Sequence, residues 1–260
     1  MTLTESYIYF ITSLLFLWGT SYLGQRLASK MALKAGGRSL FFLFSSYGVV
    51  CHELSHAIVA IIFNHKVKGI SFFKPDASST LGYVNHTYNP NSFYQRLGSF
   101  FVGFAPLFMA PVFIYWLSLM LLPNADYFLE LVSTAGMQQS TQNLSQSVPY
   151  LLNYFAFSLD NHAFVSLLWL FISSSIALSC GPSPADIKNA THGLIHFVII
   201  SLIGVALFGV DIPALVKGGY LLIIGLCVLQ ALIFTLLFLF IRVAVVAWNF
   251  VKKRRLRNTQ

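Results

Sequence analysis

The chain has 260 residues, of which 57% are hydrophobic and 9% are charged, and its mean hydropathy is +0.72. A soluble domain carries about 25% charged residues, so this composition excludes an ordinary soluble protein and predicts an integral membrane protein. The formal net charge of +8 does not indicate nucleic-acid binding, because the basic residues lie in short connectors and in the tail at 251–260, where they meet anionic lipid.

Six apolar runs are close to the length of about 20 residues that a helix needs to cross a bilayer. They cover residues 7–23, 40–63, 93–122, 162–180, 194–210 and 220–250. The third run contains Pro106 and Pro111, where we expect a kink. No lysine or arginine precedes the first run, which favours a retained helix over a cleaved signal peptide. The predicted fold class is an all-α polytopic membrane protein with a single domain over residues 1–260.

Two connecting segments have a distinct composition. Residues 66–74 and 81–88 are rich in β-branched and aromatic side chains and flank the turn-forming residues 75–79, which predicts a small β-hairpin between the second and third helices. Residues 123–161 contain no lysine or arginine and include a polar tract. We therefore predict an exposed loop there, with a short amphipathic helix near 151–157.

The distribution of basic residues predicts the orientation in the membrane. The positive-inside rule favours a cytoplasmic C-terminus, as expected for a multi-pass protein of a bacterial inner membrane. With six spans, the N-terminus and the hairpin would lie on the cytoplasmic side as well. Four basic residues disagree with this assignment, because they would lie outside: Arg26, Lys30, Lys34 and Arg38.

The second apolar run contains His52-Glu53-Leu54-Ser55-His56, an H-E-x-x-H motif. On a helix, this spacing places both imidazoles on one face, where they are able to bind one zinc ion, and it places Glu53 beside them as a general base. A catalytic zinc needs a third protein ligand and an open position for water. Ionisable residues inside a span are costly and therefore indicate a function.

Asp186 is the best candidate for the third zinc ligand among the eight acidic residues. It follows the helix-breaking sequence Gly181-Pro182-Ser183-Pro184, which ends the fourth run on the same side as the end of the second run. Capping of the next helix is an alternative role for Asp186. Three other residues are weaker candidates for a ligand. For His192 and His196, a hydrogen-bonded pair or a role in orienting Asp186 is favoured over metal binding. Cys180 could be a thiolate ligand, but a cysteine at an apolar helix end is more often a small hydrophobic residue.

These features together resemble the site-2 protease family of intramembrane zinc metalloproteases, over about residues 40–192. The resemblance implies that His52 and His56 bind one Zn²⁺, that Glu53 is the catalytic base, and that Asp186 is the third ligand. It also implies that the hairpin forms a sheet beside the site, to which an unwound substrate adds as a strand. The stretch 81–98 and the sequence Pro182-Ser183-Pro184-Ala185-Asp186 look most like poorly characterised bacterial members, since the Asn-Pro and Leu-Asp-Gly motif of the best-studied members is missing.

The expected function is therefore hydrolysis of a peptide bond in or near the membrane-spanning segment of a protein substrate. Two alternatives stay open at this point. One is an inactive homologue that binds a membrane partner, and the other is an ion or proton transporter that uses the same four residues. The expected partners are the lipid bilayer and a membrane protein or membrane-proximal peptide, and the sequence does not predict an oligomeric state.

Overall fold

The structure is a computed structural model that describes residues 2–74, 81–137, 141–209 and 214–257. The predicted turn at 75–79 lies outside these residues. The fold is mostly helical with one small antiparallel sheet, as predicted. The elements in chain order are α1 (Leu3–Ile62), β1 (Lys66–Ser71), β2 (Tyr83–Thr87), α2 (Phe93–Gly103), α3 (Ala105–Leu121), α4 (Ala125–Met137), α5 (Thr141–Ser179), α6 (Pro184–Thr191), α7 (Leu194–Phe208) and α8 (Ala214–Arg257).

Helix α1 contains both the first and the second predicted apolar run. A straight helix of its 60 residues would be about 90 Å long, roughly three times the hydrocarbon thickness of a bilayer. The backbone is non-helical at Gly36 and Gly37, and Gly37 has a φ of 63°, which glycine adopts readily. Ala28 and Phe44 pack in one cluster, so the chain folds back between them. We call residues 3–35 the N-terminal arm and residues 38–62 the motif arm.

Three helices are long and apolar enough to cross a membrane: α1, residues Ser147–Ser179 of α5 and residues Lys217–Val243 of α8. Two pairs of successive helices are bent at a short break, α2 with α3 by 66° and α6 with α7 by 65°. If each bent pair forms one span, there are two further spans. The first of these bends lies next to Pro106, near the predicted kink. The described helices thus provide three to five candidate spans, and the predicted number of six is not confirmed.

The N-terminal arm packs against α8 with both helices running in the same direction. Trp18 donates a hydrogen bond of 2.8 Å to the Tyr220 hydroxyl, a β-carbon at Gly24 would lie 3.1 Å from that of Cys227, and Ala28 shares a cluster with Ala231. Partners therefore advance together along both helices. In a chain with six successive spans, the first and the last would run in opposite directions, so this packing disagrees with the predicted topology.

Residues 123–161 do not form the predicted exposed loop. They include α4 and the first part of α5, and Phe128, Val132 and Tyr154 are buried in the main hydrophobic core beside Trp169. Phe128 and Val132 are four residues apart, so they lie on one buried face of α4. The predicted short helix at 151–157 is part of α5, and residues 138–140 of the polar tract lie outside the described residues.

The β-hairpin is confirmed. Strands β1 and β2 pair antiparallel, with Ile70 opposite Val84 and an irregularity between Val67 and Gly69. The side chains of β2 alternate between exposed and less exposed positions, and those of Val84 and His86 share the less exposed face. Because the hairpin follows the motif arm after a short turn, it lies against the end of α1 that carries the H-E-x-x-H motif.

Candidate metal centre

The two motif histidines face each other across one helical turn. Their Nε2 atoms are 3.1 Å apart. On the outer side, Nδ1 of His52 donates to the backbone carbonyl of Ser179 at 2.7 Å, and Nδ1 of His56 donates to the carbonyl of Val102 at 2.7 Å. A carbonyl oxygen only accepts hydrogen bonds, so each Nδ1 carries a proton. The backbones of α5 and α2 therefore set the tautomer of both imidazoles.

This tautomer leaves a lone pair on each of the two facing nitrogens if both rings are neutral. Two lone pairs at 3.1 Å repel each other, and the contact becomes favourable only with a positive charge or a proton between them. Metal-binding histidines in proteins characteristically donate their other ring N–H to a carbonyl or carboxylate. The hydrogen-bond arrangement of the pair is therefore compatible with a metal site.

Asp186 completes a set of three potential ligand groups. Its Oδ1 lies 3.3 Å from Nε2 of His56, and its Oδ2 lies 3.5 Å from Nε2 of His52. A tetrahedral zinc ion with bonds of about 2.0–2.1 Å separates neighbouring ligand atoms by about 3.4 Å. With one donor atom per residue, the set lies within 4.8 Å, and it is the one group of three or more potential ligands in the part of the chain that the structure describes.

The helix break before α6 explains the position of Asp186. Ser183 is the N-cap of α6, and its backbone N–H donates to Oδ2 of Asp186 at 2.7 Å while its hydroxyl accepts from the Asp186 N–H at 3.2 Å. The capping role and the contacts to both histidines therefore occur together. The α2 backbone lies close behind, since a β-carbon at Gly103 would be 2.4 Å from the Asp186 carbonyl oxygen.

Glu53 is buried and lines a cavity of about 400 Å³ that also contains both histidines and Asp186. The hairpin closes one side of this cavity at the residue that precedes β2. A β-carbon at Gly82 would lie 2.7 Å from Cγ of Glu53 and 2.8 Å from the Ser71 carbonyl oxygen. Only glycine fits between β1 and the glutamate, so the hairpin fixes the position of the predicted base.

The weaker sequence candidates do not join this group. Cys180 is buried and its thiol contacts the Ala177 carbonyl at 3.2 Å. His192 is exposed at the end of α6, and the His196 ring packs against Phe93 with ring centroids 4.9 Å apart. None of these three side chains belongs to the metal-spaced group of the described residues.

A second histidine pair, which was not identified from the sequence, lies at the edge of the same cavity. Nδ1 of His65 is 3.0 Å from Nδ1 of His86, and His86 lines the cavity. Burial lowers the pKa of His65. Burial, with the charges of His65 and His56 adding to it, lowers the pKa of His86 to about 4. The alternation of β2 contained the signal, because it puts His86 on the same face as the apolar Val84.

Comparisons with protein-family models, with curated proteins and with solved structures give no match for this chain. The resemblance to the site-2 protease family therefore stays a prediction that depends on the motif residues themselves.

Proposed function

We propose that the protein is an intramembrane zinc metallopeptidase that hydrolyses a peptide bond in or near a membrane-spanning segment of a protein substrate. The observation that carries the proposal is the pair of imidazoles whose outer nitrogens both donate to backbone carbonyls. Their inner nitrogens are 3.1 Å apart, a contact that becomes favourable with a proton or a metal cation between them. His52, His56 and Asp186 would hold one zinc ion, which would act as a Lewis acid on the scissile carbonyl.

Glu53, which lines the same cavity, would be the general base. Its carboxylate would take a proton from the attacking water as the water oxygen bonds to the carbonyl carbon. The same proton would then pass to the nitrogen of the leaving amine as the carbon–nitrogen bond breaks. No other acidic residue lines this cavity apart from the ligand Asp186, in the part of the chain that the structure describes.

The hairpin supplies a surface for an extended substrate. Strand β2 pairs with β1 on one side, and its other edge has no strand partner among the described residues. The cavity is lined by residues 81–86, which include most of β2. A substrate segment that unwinds would gain backbone hydrogen bonds at this edge, which offsets the loss of its helical hydrogen bonds. The scissile bond would then lie beside Glu53.

The parallel packing of the N-terminal arm and α8 supports a topology with the two termini on opposite faces. The same face then contains the C-terminal end of α8 and four basic residues: Arg26, Lys30, Lys34 and Arg38. The positive-inside rule favours that face as the cytoplasmic one for these four residues. The hairpin, which follows the other end of the motif arm and carries Lys66 and Lys68, then lies toward the opposite face. Helix α5 bends back at His162, where its backbone is non-helical and the Ser158 and Ser166 hydroxyls come within 2.6 Å. We propose five spans: the two arms, α2 with α3, the part of α5 after His162 with α6 and α7, and α8. Reporter fusions at each terminus test this, and two termini on one face would exclude it.

The catalytic proposal is tested with purified full-length protein, reconstituted in liposomes with a panel of tagged single-span membrane proteins. We expect wild type to contain zinc and to cleave at least one of them, with loss of cleavage upon chelation. Glu53→Gln should retain zinc and lose cleavage. Glu130→Gln is the matched control, since Glu130 is exposed on α4 and outside the cavity, and it should behave like wild type.

Three results would contradict the proposal. Undiminished cleavage by Glu53→Gln would exclude the assigned base. Wild type purified without zinc would favour a protein that binds a membrane partner without catalysis. Ion flux in liposomes that is insensitive to chelation would favour a transporter.

A further inference from the structure

The second histidine pair forms a continuous chain of hydrogen bonds from α2 to α6. Nε2 of His65 lies 2.7 Å from the backbone carbonyl of Gln95, and the Nδ1 atoms of His65 and His86 are 3.0 Å apart. Nε2 of His86 lies 3.3 Å from Nδ2 of Asn189. Asn189 follows Asp186 by three residues on α6, so both side chains lie on adjacent turns of the same short helix.

The groups at the two ends of this chain of hydrogen bonds determine where each proton in it lies. The Gln95 carbonyl accepts, so His65 carries its proton on Nε2 and presents a lone pair at Nδ1. His86 must then donate from Nδ1, and its own Nε2 accepts from the Asn189 amide. The opposite amide orientation would place a proton on Nε2 of His86 and leave two lone pairs facing each other at 3.0 Å. Two neutral rings therefore satisfy the whole chain without a metal.

We propose that His86 is a positioning residue that holds Asn189, and with it helix α6, so that Asp186 stays at the metal site. His65 acts through His86 by fixing its tautomer. The inference depends on the proposed zinc site for its functional meaning, because Asp186 is the ligand being positioned. His86 does not serve as an acid or base in this arrangement, since both of its nitrogens are engaged.

Three substitutions test the two hydrogen bonds of His86 one at a time. In His86→Gln, the terminal amide oxygen reaches the position of Nε2 and accepts from Asn189. In His86→Asn, the shorter amide replaces Nδ1 alone, so the bond to His65 survives and the bond to α6 is lost. Asn189→Ala removes the donor on the other side. A general packing role for residue 86 would make the two His86 variants equally harmful.

The experiment measures zinc affinity of full-length protein in detergent by competition with a chelator. We expect His86→Asn and Asn189→Ala to weaken zinc binding by roughly 10- to 100-fold, as other residues that orient metal ligands do. His86→Gln should stay close to wild type. The double variant His86→Asn/Asn189→Ala should be no weaker than either single variant, because both remove the same bond. Equal losses in the two His86 variants, or additive losses, would overturn the proposal.

A second measurement needs no zinc. ¹⁵N spectra of histidine-labelled, zinc-free protein at neutral pH should show His86 neutral and protonated on Nδ1, and His65 protonated on Nε2, with assignments from the variants. Backbone amide signals of α6 should shift in His86→Asn and not in His86→Gln. A cationic His86, or one protonated on Nε2, would overturn the proposal even if wild type binds zinc. A wild type without zinc that gives the expected spectra would instead refute only the metallopeptidase assignment.

Discussion

Two histidine pairs with nearly equal nitrogen separations have opposite chemistry in this protein. The facing nitrogens of His52 and His56 are 3.1 Å apart, and those of His65 and His86 are 3.0 Å apart. In the first pair, both outer nitrogens face backbone carbonyls, so two lone pairs meet in the middle. In the second pair, one outer nitrogen faces a carbonyl and the other an amide donor, so a proton lies between the rings.

The difference shows that the hydrogen-bond partners of the outer ring nitrogens determine whether a histidine pair is suited to a cation or to a neutral hydrogen bond. An acceptor on each side prepares a site for a cation, whereas an acceptor on one side and a donor on the other prepare a neutral hydrogen-bonded chain. The H-E-x-x-H spacing brings the first pair together, and the carbonyls of Ser179 and Val102 fix the tautomer that the proposed metal site requires. The second pair has no such motif and is joined by the hairpin.

The largest expected effect distinguishes the two pairs directly. His52→Ala should reduce zinc affinity by well over about 100-fold, because it removes a ligand, whereas loss of an orienting partner alone costs roughly 10- to 100-fold. Metal content and chelator competition measure the effect. His192→Ala is the control, since that side chain is exposed, and it should bind zinc like wild type. Equal zinc affinity in His52→Ala would exclude the first pair as a metal site.

The next effect concerns α6, which both pairs contact. Gly103→Ala would put a β-carbon 2.4 Å from the Asp186 carbonyl oxygen and 2.6 Å from Cβ of Ala190, so α6 must move. We expect zinc affinity to fall by roughly 10- to 100-fold. Gly225→Ala is the matched control, because no atom lies within 4 Å of a β-carbon there. If both glycine variants bind zinc equally well, the position of α6 does not determine zinc affinity.

A third substitution tests the base and leaves the metal ligands unchanged. Gly82→Ala would put a β-carbon 2.7 Å from Cγ of Glu53 and displace that carboxylate. Misplacement of a reacting group by about 1 Å can cost roughly 100-fold in rate, so cleavage should fall while zinc content stays unchanged. Gly69→Ala lies on the same hairpin, and its nearest atom would be 4.0 Å away. If both variants cleave the substrate equally rapidly, the contact between the hairpin and Glu53 does not contribute to catalysis.

The smallest expected effect is the pH dependence of the second pair. The pKa of His86 is about 4 in the folded protein and about 6.5 in an unfolded chain, so the unfolded state takes up the proton first. The stabilisation is complete above about pH 6.5 and is lost as the pH falls toward 4. The shift corresponds to at most about 3 kcal/mol, and partial exposure of the ring reduces it.

Thermal unfolding of zinc-free protein measures this loss. Between about pH 7.5 and pH 4.5, wild type should lose more stability than His86→Gln, because glutamine does not titrate in that range. An equal loss in the two proteins would show that His86 is not held neutral by the fold.

The sequence predicted local elements better than their arrangement. The hairpin followed from β-branched residues on both sides of a turn, and the break before Asp186 followed from its prolines and glycine. The helices at 123–161 were predicted only near 151–157. A segment without basic residues was interpreted as an exposed loop, whereas some of its apolar side chains, such as Phe128 and Tyr154, are buried in the core. The fold-back at Gly36 and Gly37 joins two predicted helices, but the parallel partner of the N-terminal arm depends on contacts about 200 residues away in sequence that no local pattern encodes.

The sequence by itself determined the membrane class, the two motif imidazoles on one helix face and Glu53 between them, because composition and the 3.6-residue period act locally. Only the tertiary structure decided which atoms surround those groups. It brought Asp186 to the histidines, turned two carbonyls toward their outer nitrogens, and joined His86 to α6. These relations arise where α2, α5, α6 and the hairpin meet, and hydrogen-bond partners from four separate elements are specified by packing and not by spacing along the chain.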